Sequence, residues 1–390
     1  MPGKTLYCLG EAWLELNSTA PLASAETFSP RMGGSAASLA LAYAAQGGRA
    51  SLLTQLGEDA FGHRIADALS TAGVDISRVC FTSRAPTPLL FDGGGEQLGC
   101  RTRSSELLYA PEQLGADWAA DAEMLAFSSA CLVDSPCRYT HLAALDTART
   151  AGVPVCFVPS LRPALWPGEK TLRDTVMQFL PFADILVLTA DEMELLLDIR
   201  EYQVGLFALL RGHTQLVVLE TEEGVHAFTR AVHAFLPELS APPEELAARL
   251  LYQISQQELT LKKLTSNPFK SLLLGAGITI AIQSSSAMTV MLVGLVNSGI
   301  MELSQTVGLI MGSNIGTTLT AWILSMTGIE GDNLLISMLK PENFSPILAL
   351  IGVILIMAAK SEKKKDTGSI LCGFAILMFG MELMKEAMAP

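Results

Sequence analysis

The hydrophobic and polar positions of this chain follow two regimes that change near residue 250. Before that point, short apolar runs alternate with amphipathic stretches, the pattern of strands buried between helices. Residues 5–16 read as a buried strand, a turn and a further strand. Strands are also predicted at Ala50–Gln55, Met124–Ser128, Pro154–Val158, Ile185–Thr189 and Gln215–Leu219, with another strand region starting at Val74-Asp75. Gly33-Gly34-Ser35 opens a helix over Ala36–Gln46, and Gly57-Glu58-Asp59-Ala60-Phe61-Gly62 opens one that runs through Ser70. Further helices are predicted at about 137–151, 171–180 and 191–197. Strands alternating with helices imply an α/β Rossmann-like fold, a parallel sheet with helices on both faces and ligands at the carboxyl ends of its strands.

Beyond residue 250 the period is lost and long apolar stretches take over. From Ser271 to Ile329 the one charge is Glu302. Apolar stretches cover 271–297, 299–327, Pro346–Ala359 and Ser369–Met384, so an all-α multi-pass membrane domain is expected. Gln283-Ser284-Ser285-Ser286 interrupts the first stretch. Four adjacent polar side chains at membrane depth need partners, which marks either a polar site or serines that bond back to carbonyls one turn earlier. Residues 312–318 (Gly-Ser-Asn-Ile-Gly-Thr-Thr) interrupt the second stretch and predict unwound backbone whose oxygens coordinate an ion. Lys262, Lys263 and Lys270 precede the first stretch, and Lys360 with Lys363–Lys365 follow the third. Placing both clusters on the cytoplasmic side requires one stretch to be a re-entrant hairpin, and the one carrying Gln283–Ser286 fits best. Between the two regimes, Ser240 reads as an N-cap, Pro242-Pro243 as a first helical turn, and Glu244 to Leu264 as a helix stopped by Ser266-Asn267-Pro268. The domains expected are 1–238, a junction over 239–268, and 269–390.

Composition sharpens this division. The 390 residues are 50% hydrophobic with a formal net charge of −13, which gives no reason to expect nucleic acid. Mean hydropathy is +0.38. The seven cysteines form no C-x-x-C and are odd in number, arguing against a disulfide framework or a zinc site, and the first six suit a reducing cytosol. The five histidines match no metal or triad signature and read as surface or helix-end residues; no metal site is expected. No secretory signal is expected at the start. Residues 1–250 carry 15 Arg and 2 Lys, whereas 251–390 carry nine Lys and no Arg. Folding does not demand that switch, so two unrelated sequences are expected to meet near residue 250.

Several pieces of the first regime, taken together, resemble the ribokinase/fructokinase-like sugar kinases over about residues 5–235. They are Gly10-Glu11, Gly33-Gly34, Gly57-x-Asp59-x-Phe61-Gly62, Phe157-x-Pro159-x-x-Arg162-Pro163-x-Leu165-Trp166 and Asp191-Glu192-x-Glu194. The resemblance implies a ribokinase-like α/β domain with a small β lid that phosphorylates a sugar hydroxyl from ATP. It assigns sugar binding to Glu15, Gly33, Gly34, Ser38 and Arg162, and nucleotide or magnesium contact to Glu192 and Glu194. The departures are equally specific. Glu15 and Ser38 stand where the family has Asp and Asn, and Val158 and Ser160 where Asp and Asn are common. No Thr-x-Gly follows Leu219. The family's Gly-Ala-Gly-Asp, an anion hole plus a general base, is replaced by Pro-Pro-Glu-Glu, and no GxxxxGK exists to substitute for it. No catalytic residue is therefore assigned, and ATP with Mg2+ enters only if this part is active.

Thr265-Ser266-Asn267-Pro268-Phe269-Lys270, Gln283–Ala287 and Gly312-x-Asn314-Ile315-Gly316-Thr317-Thr318 resemble the first repeat of the sodium/phosphate cotransporter family over about 259–390. That family has two inverted repeats with sodium and phosphate bound between them. The resemblance assigns Gln283, Ser284, Ser285, Ser286, Asn314, Thr317 and Thr318 to sodium and phosphate. It implies a multi-pass protein of the cytoplasmic membrane with the first domain in the cytoplasm. One repeat is present, so a second repeat or a second copy of the chain is an expected partner, along with the lipid bilayer. Three readings are open: a half-transporter carrying an inactive kinase-like domain, a membrane-tethered sugar kinase, and a non-functional chimera of two truncated proteins.

Overall fold

The computed structural model describes residues 4–115, 117–210, 213–230, 233–237, 239–265, 267–282, 284–297, 301, 303–326, 341–358 and short pieces between 365 and 380. The chain divides into two compact units, 1–256 and 257–390.

The first unit is built on one long sheet. Its strands are β1 (Thr5–Leu9), β4 (Ala50–Gly57), β5 (Val79–Thr82), β8 (Ala122–Phe127), β9 (Val155–Phe157), β10 (Ile185–Thr189), β11 (Leu216–Thr221), β12 (Gly224–Phe228) and β13 (His233–Pro237). Their order is β13-β12-β11-β10-β9-β8-β1-β4-β5, parallel except for the antiparallel β11–β12–β13 edge. All five residues of β1 and all eight of β4 are buried, as strands covered on both faces must be. The covering helices are α1 (Ser35–Ala45), α2 (Ala60–Thr71), α3 (Pro111–Leu114), α4 (Pro136–Ala151), α5 (Glu169–Phe179), α6 (Ala190–Leu197) and α7 (Tyr202–Leu209). Asp59 starts α2 by accepting from the amides of Phe61 and Gly62 at 3.0 and 2.8 Å, and its other oxygen accepts from Thr87 N–H at 2.7 Å.

A second sheet, β3 (Ser29–Gly33), β2 (Trp13–Ser18), β6 (Leu89–Gly93) and β7 (Glu96–Cys100) in that order, forms the small lid. β6 and β7 turn at Gly94 and Gly95, with φ of +60° and +83°, a left-handed pair that glycine adopts without strain. The expected strand at Val74-Asp75 is reduced to an isolated Ser51–Asp75 bridge, and β5 begins later, at Val79. Two histidines expected at the surface are buried instead: His141 on α4 is 0% exposed and His226 on β12 is 4%.

Helix α8 (Pro243–Thr265) follows the sheet. Leu246, Ala247, Ala248 and Leu251 are buried in the core of the first unit, and Tyr252 meets Tyr43 edge-on at 5.9 Å. The apolar face of its first turns closes that core. Ser240 does not cap it; its hydroxyl donates to Glu220 at 2.7 Å.

The second unit contains α9 (Pro268–Ile282), α10 (Ser285–Asn297), α11 (Leu303–Met326) and α12 (Pro341–Ala358). Among the described residues, no helix is long and apolar enough to cross a membrane. Gln283, the cluster Lys360, Lys363 and Lys364, and much of Ser369–Met384 lie outside the described residues. The unwound backbone expected over 312–318 is absent: α11 runs unbroken through it. Its glycines serve contact instead. A Cβ on Gly312 would lie 2.0 Å from the Leu272 carbonyl oxygen, one on Gly316 2.7 Å from that of Ala276, and one on Gly275 of α9 2.2 Å from that of Leu309. Small residues four apart let two helix backbones approach this closely. Thr279 donates to Ser313 at 2.8 Å inside the same contact.

Gly312→Leu must therefore push α9 and α11 apart, at a cost on the order of 1–3 kcal/mol. Circular-dichroism melts of the detergent-solubilised chain are expected to show a lowered Tm for Gly312→Leu. Gly277→Leu, whose Cβ would meet nothing within 4 Å, should melt like the parent. Equal melting of the two variants would contradict the close contact.

Candidate functional site

At the carboxyl end of β1 the chain turns through Gly10 into Glu11, which is 0% exposed. Its carboxyl group accepts from Ser35 N–H at 2.8 Å and from Ser128 Oγ at 2.7 Å. One side chain thus ties the ends of β1 and β8 to the start of α1. Gly34, with φ +102°, is forced to be glycine: a Cβ there would lie 2.5 Å from the Glu11 carbonyl oxygen. At Gly33 the Glu15 carboxyl group lies 2.4 Å from where a Cβ would be, so a side chain there would displace Glu15.

Four of the sequence-predicted sugar residues come together here. Glu15 on β2 accepts from Trp13 Nε1 at 3.1 Å and from Arg162 at 3.2 Å, directly over Gly33 and beside Gly34. Ser38 sits one turn into α1, its N–H donating to Gly34 O at 2.8 Å, and is half-buried. The guanidinium groups of Arg162 and Arg101 each lie 5.3 Å from the buried Trp13 ring. Arg101 is itself paired with the fully buried Glu106 at 2.9 Å.

Glu192 and Glu194 diverge. Glu192 accepts from Thr189 N–H at 3.0 Å in a capping box and from Leu161 N–H at 2.5 Å, so it fixes the loop that carries Arg162. Glu194 pairs with the exposed Arg200 at 2.7 Å. Burial, together with Glu244 and Glu220, pushes the Glu192 carboxyl from its usual 4.5 up to about 7, against the pull of its two amide donors.

Sequence reasoning missed three participants. Ser35 Oγ donates to Ser160 Oγ at 2.6 Å, and Ser160 Oγ donates to Glu244 at 2.7 Å. Ser160 holds a φ of +45°, a strained conformation for a residue with a side chain. Glu244, in the first turn of α8, is thereby placed at the carboxyl ends of the strands. The acid in Pro-Pro-Glu-Glu was legible; its approach to Ser160, 84 residues away, needs the fold. Pro242 and Pro243, immediately before it, have no N–H to offer an anion.

In the second unit the polar run divides α9 from α10. Ser284 Oγ accepts from Ala287 N–H at 3.2 Å, starting α10, with Ser285 and Ser286 in its first turn. Asn314, Thr317 and Thr318 lie exposed on α11, and the two threonine hydroxyls donate back to the carbonyls of Ser313 and Asn314 at 3.0 Å. Met288, Leu292 and Leu309 share a small core, so α10 packs beside α11.

The family described as pfkB family carbohydrate kinase matches residues 4–246. The chain belongs to that family. Residues 250–386 match the Na+/Pi-cotransporter family. Fructokinase-1 of Zea mays is 32% identical over 223 residues, 55% of this chain and 69% of that protein. A probable fructokinase-3 of Arabidopsis thaliana is 32% identical over 209 residues, 52% of this chain and 60% of that protein. A crystal structure of fructokinase with bound ATP from Xylella fastidiosa superposes with a TM-score of 0.60 at 27% identity, covering 65% of this chain and 82% of that one. A Vibrio cholerae fructokinase, at 22% identity and a TM-score of 0.58, shares the fold. The pfkB unit thus carries the lid, the paired glycines and the Arg162 loop, and Pro242-Pro243 at the start of α8.

The raised Glu192 fixes a sign. The folded state holds that proton between pH 4.5 and about 7, where the unfolded chain has released it, so stability falls as pH rises through this window and levels off above it. Denaturant midpoints measured from pH 4.5 to 8 should show this decline, and Glu192→Gln should flatten it. An unchanged slope in Glu192→Gln would contradict the assignment.

Proposed function

We propose that the chain is a half-transporter. In this reading residues 269–390 supply one repeat of a sodium-coupled phosphate carrier of the cytoplasmic membrane, 239–268 join it, and 1–238 are a sugar-kinase fold on the cytoplasmic side that transfers no phosphate. The observation that carries the transport reading is the pair of short helices around the serine run. α9 has 15 residues and α10 has 13. At about 1.5 Å per residue each is roughly 20 Å long, short of the roughly 30 Å of a bilayer's hydrocarbon core. Two half-length helices meeting at a polar break suit a re-entrant hairpin whose tip offers oxygen ligands. Ser284–Ser286, with Gln283, and Asn314, Thr317 and Thr318 on the neighbouring α11 are the ligand set for sodium and phosphate. A second repeat, from another copy or another chain, completes it.

The absence of phosphoryl transfer rests on the start of α8. An ATP phosphate there would meet Pro242 and Pro243 in place of amide donors, with Glu244, Glu220 and Glu192 close by. The residues present do not fit a nucleotide's phosphates, and no catalytic step is drawn through them. One observation favours a second reading, a membrane-tethered sugar kinase: Glu244 stands beside Ser160 where a general base would be useful.

Two measurements separate these. Proteoliposomes of the full chain are expected to take up labelled phosphate only with an inward sodium gradient, and Ser285→Ala or Asn314→Ala should cut the rate at least tenfold. Sodium-independent uptake sinks the transport reading, and no uptake sinks the version in which a second copy of this chain completes the site. ADP release from ATP is expected to stay at background with fructose and a panel of other sugars. Turnover that Glu244→Ala abolishes would establish the kinase instead.

A further inference from the structure

Strand β13 ends the long sheet, bonded to β12 on one side, and all five of its residues, His-Ala-Phe-Leu-Pro, are exposed. Besides its backbone ladder with β12, a pair of histidines holds it. His226 on β12 and His233 on β13 are diagonal neighbours, because His226 is in register with Phe235 and Phe228 with His233. His226 Nδ1 and His233 Nε2 lie 3.1 Å apart. Each imidazole also stacks on a phenylalanine of the other strand, His226 on Phe235 at 4.4 Å and His233 on Phe228 at 4.1 Å. The buried end of His226 decides which nitrogen carries its proton. That residue is 4% exposed, and its Nε2 is buried with no partner among the described residues. A hydrogen on Nε2 would be buried without an acceptor, which is costly. The neutral His226 ring therefore carries its hydrogen on Nδ1 and donates it to His233 Nε2.

We propose that His226 and His233 form an acid-labile latch on the edge strand: neutral, they fasten β13 to β12; protonated, they free it and uncover the β12 edge. A proton taken up by His233 lands on Nε2, the nitrogen that accepts the bond, so two N–H groups face each other and the bond is lost. Restoring it would move the His226 hydrogen to the buried Nε2, and protonating His226 itself puts a hydrogen there too. The surrounding groups do not offset this. From α7 comes the Tyr202 ring, 5.1 Å from His226. From β11 comes Leu219, in register with His226, whereas Glu220, one residue on, faces the other side of the sheet and accepts from Ser240. Burial and the charge of His233 hold the His226 imidazole below its usual 6.5, against the pull of Glu223. The folded state thus refuses a proton that the unfolded chain accepts, so this contribution to stability is present above pH 6.5 and is lost as pH falls below it. Its sign is opposite to that of Glu192, and it acts on one strand. The freed edge presents unpaired N–H and C=O groups. The latch is independent of whether the second unit transports phosphate.

The test is amide hydrogen exchange of the full chain in detergent at pH 7.5 and pH 5.5, read by peptide mass spectrometry and corrected for the pH dependence of chemical exchange. Protection of the β12 and β13 peptides is expected to fall at least tenfold at pH 5.5, while peptides from β1 and β4 keep theirs. In His233→Gln the side-chain oxygen accepts from His226 Nδ1 at either pH, so β13 should stay protected at both. The pH dependence is read on the parent chain and does not rely on the variant folding. Equal protection of β13 at the two pH values would overturn the proposal. So would a loss shared by β1 and β4, which is unfolding of the whole unit, or a loss undiminished in His233→Gln.

Discussion

The buried carboxyl group of Glu11 is the interaction on which the first unit's site depends. Burying a carboxyl group is costly unless its oxygens are satisfied, and here a backbone amide and a serine hydroxyl satisfy them. Those partners come from α1 and from the end of β8, so satisfying one group aligns two elements. Gly34 is glycine because the Glu11 carbonyl occupies the space of a side chain. Beside it, Glu15 lies over Gly33 and accepts from Arg162, and the Arg101 and Arg162 guanidinium groups each lie 5.3 Å from the Trp13 ring. The opposite end of the site obeys a different constraint. Prolines begin α8, and its first acid bonds to a serine in a strained conformation. Glu15, Gly33, Gly34 and Arg162 gather on one side, whereas the two prolines on the other carry no N–H.

Much of this fold is legible in the sequence. Continuous apolar runs name the buried strands β1, β4 and β10, and Asp59 with its glycines names the start of α2, because those signals are local. The lid strands β6 and β7 are less visible: their residues are only partly buried, and their clearest mark is the glycine turn after Phe91. The antiparallel β12–β13 edge escapes the periodicity because β13 is exposed along its whole length and so shows no buried face. Long-range pairing also hides the Ser35–Ser160–Glu244 chain, since no spacing rule connects residues 35, 160 and 244. His141 is buried where a surface position was expected, because a histidine on a helix gives no sign of which face it takes.

In the second unit the two polar interruptions are chemically distinct, and they are not structurally equivalent. The serine run does break the helix, since Ser284 caps the start of α10. The glycine-rich run does not, because glycine in a helix costs only about 1 kcal/mol when a neighbouring backbone occupies the vacated space. Gly312 and Gly316 are packed against Leu272 and Ala276, which places Asn314 and the two threonines on the exposed side of an intact helix. Short helices at a polar break and a long helix with small residues are the physical basis for the transport reading.

The central claim is the proposal that the start of α8 in the pfkB unit does not hold a nucleotide's phosphates. Calorimetric titration of the full chain with MgATP tests it most directly. The account predicts no saturable heat up to millimolar nucleotide, because Pro242 and Pro243 supply no amide donors and the adjacent carboxylates repel the phosphates. Saturable binding in the micromolar range would contradict it.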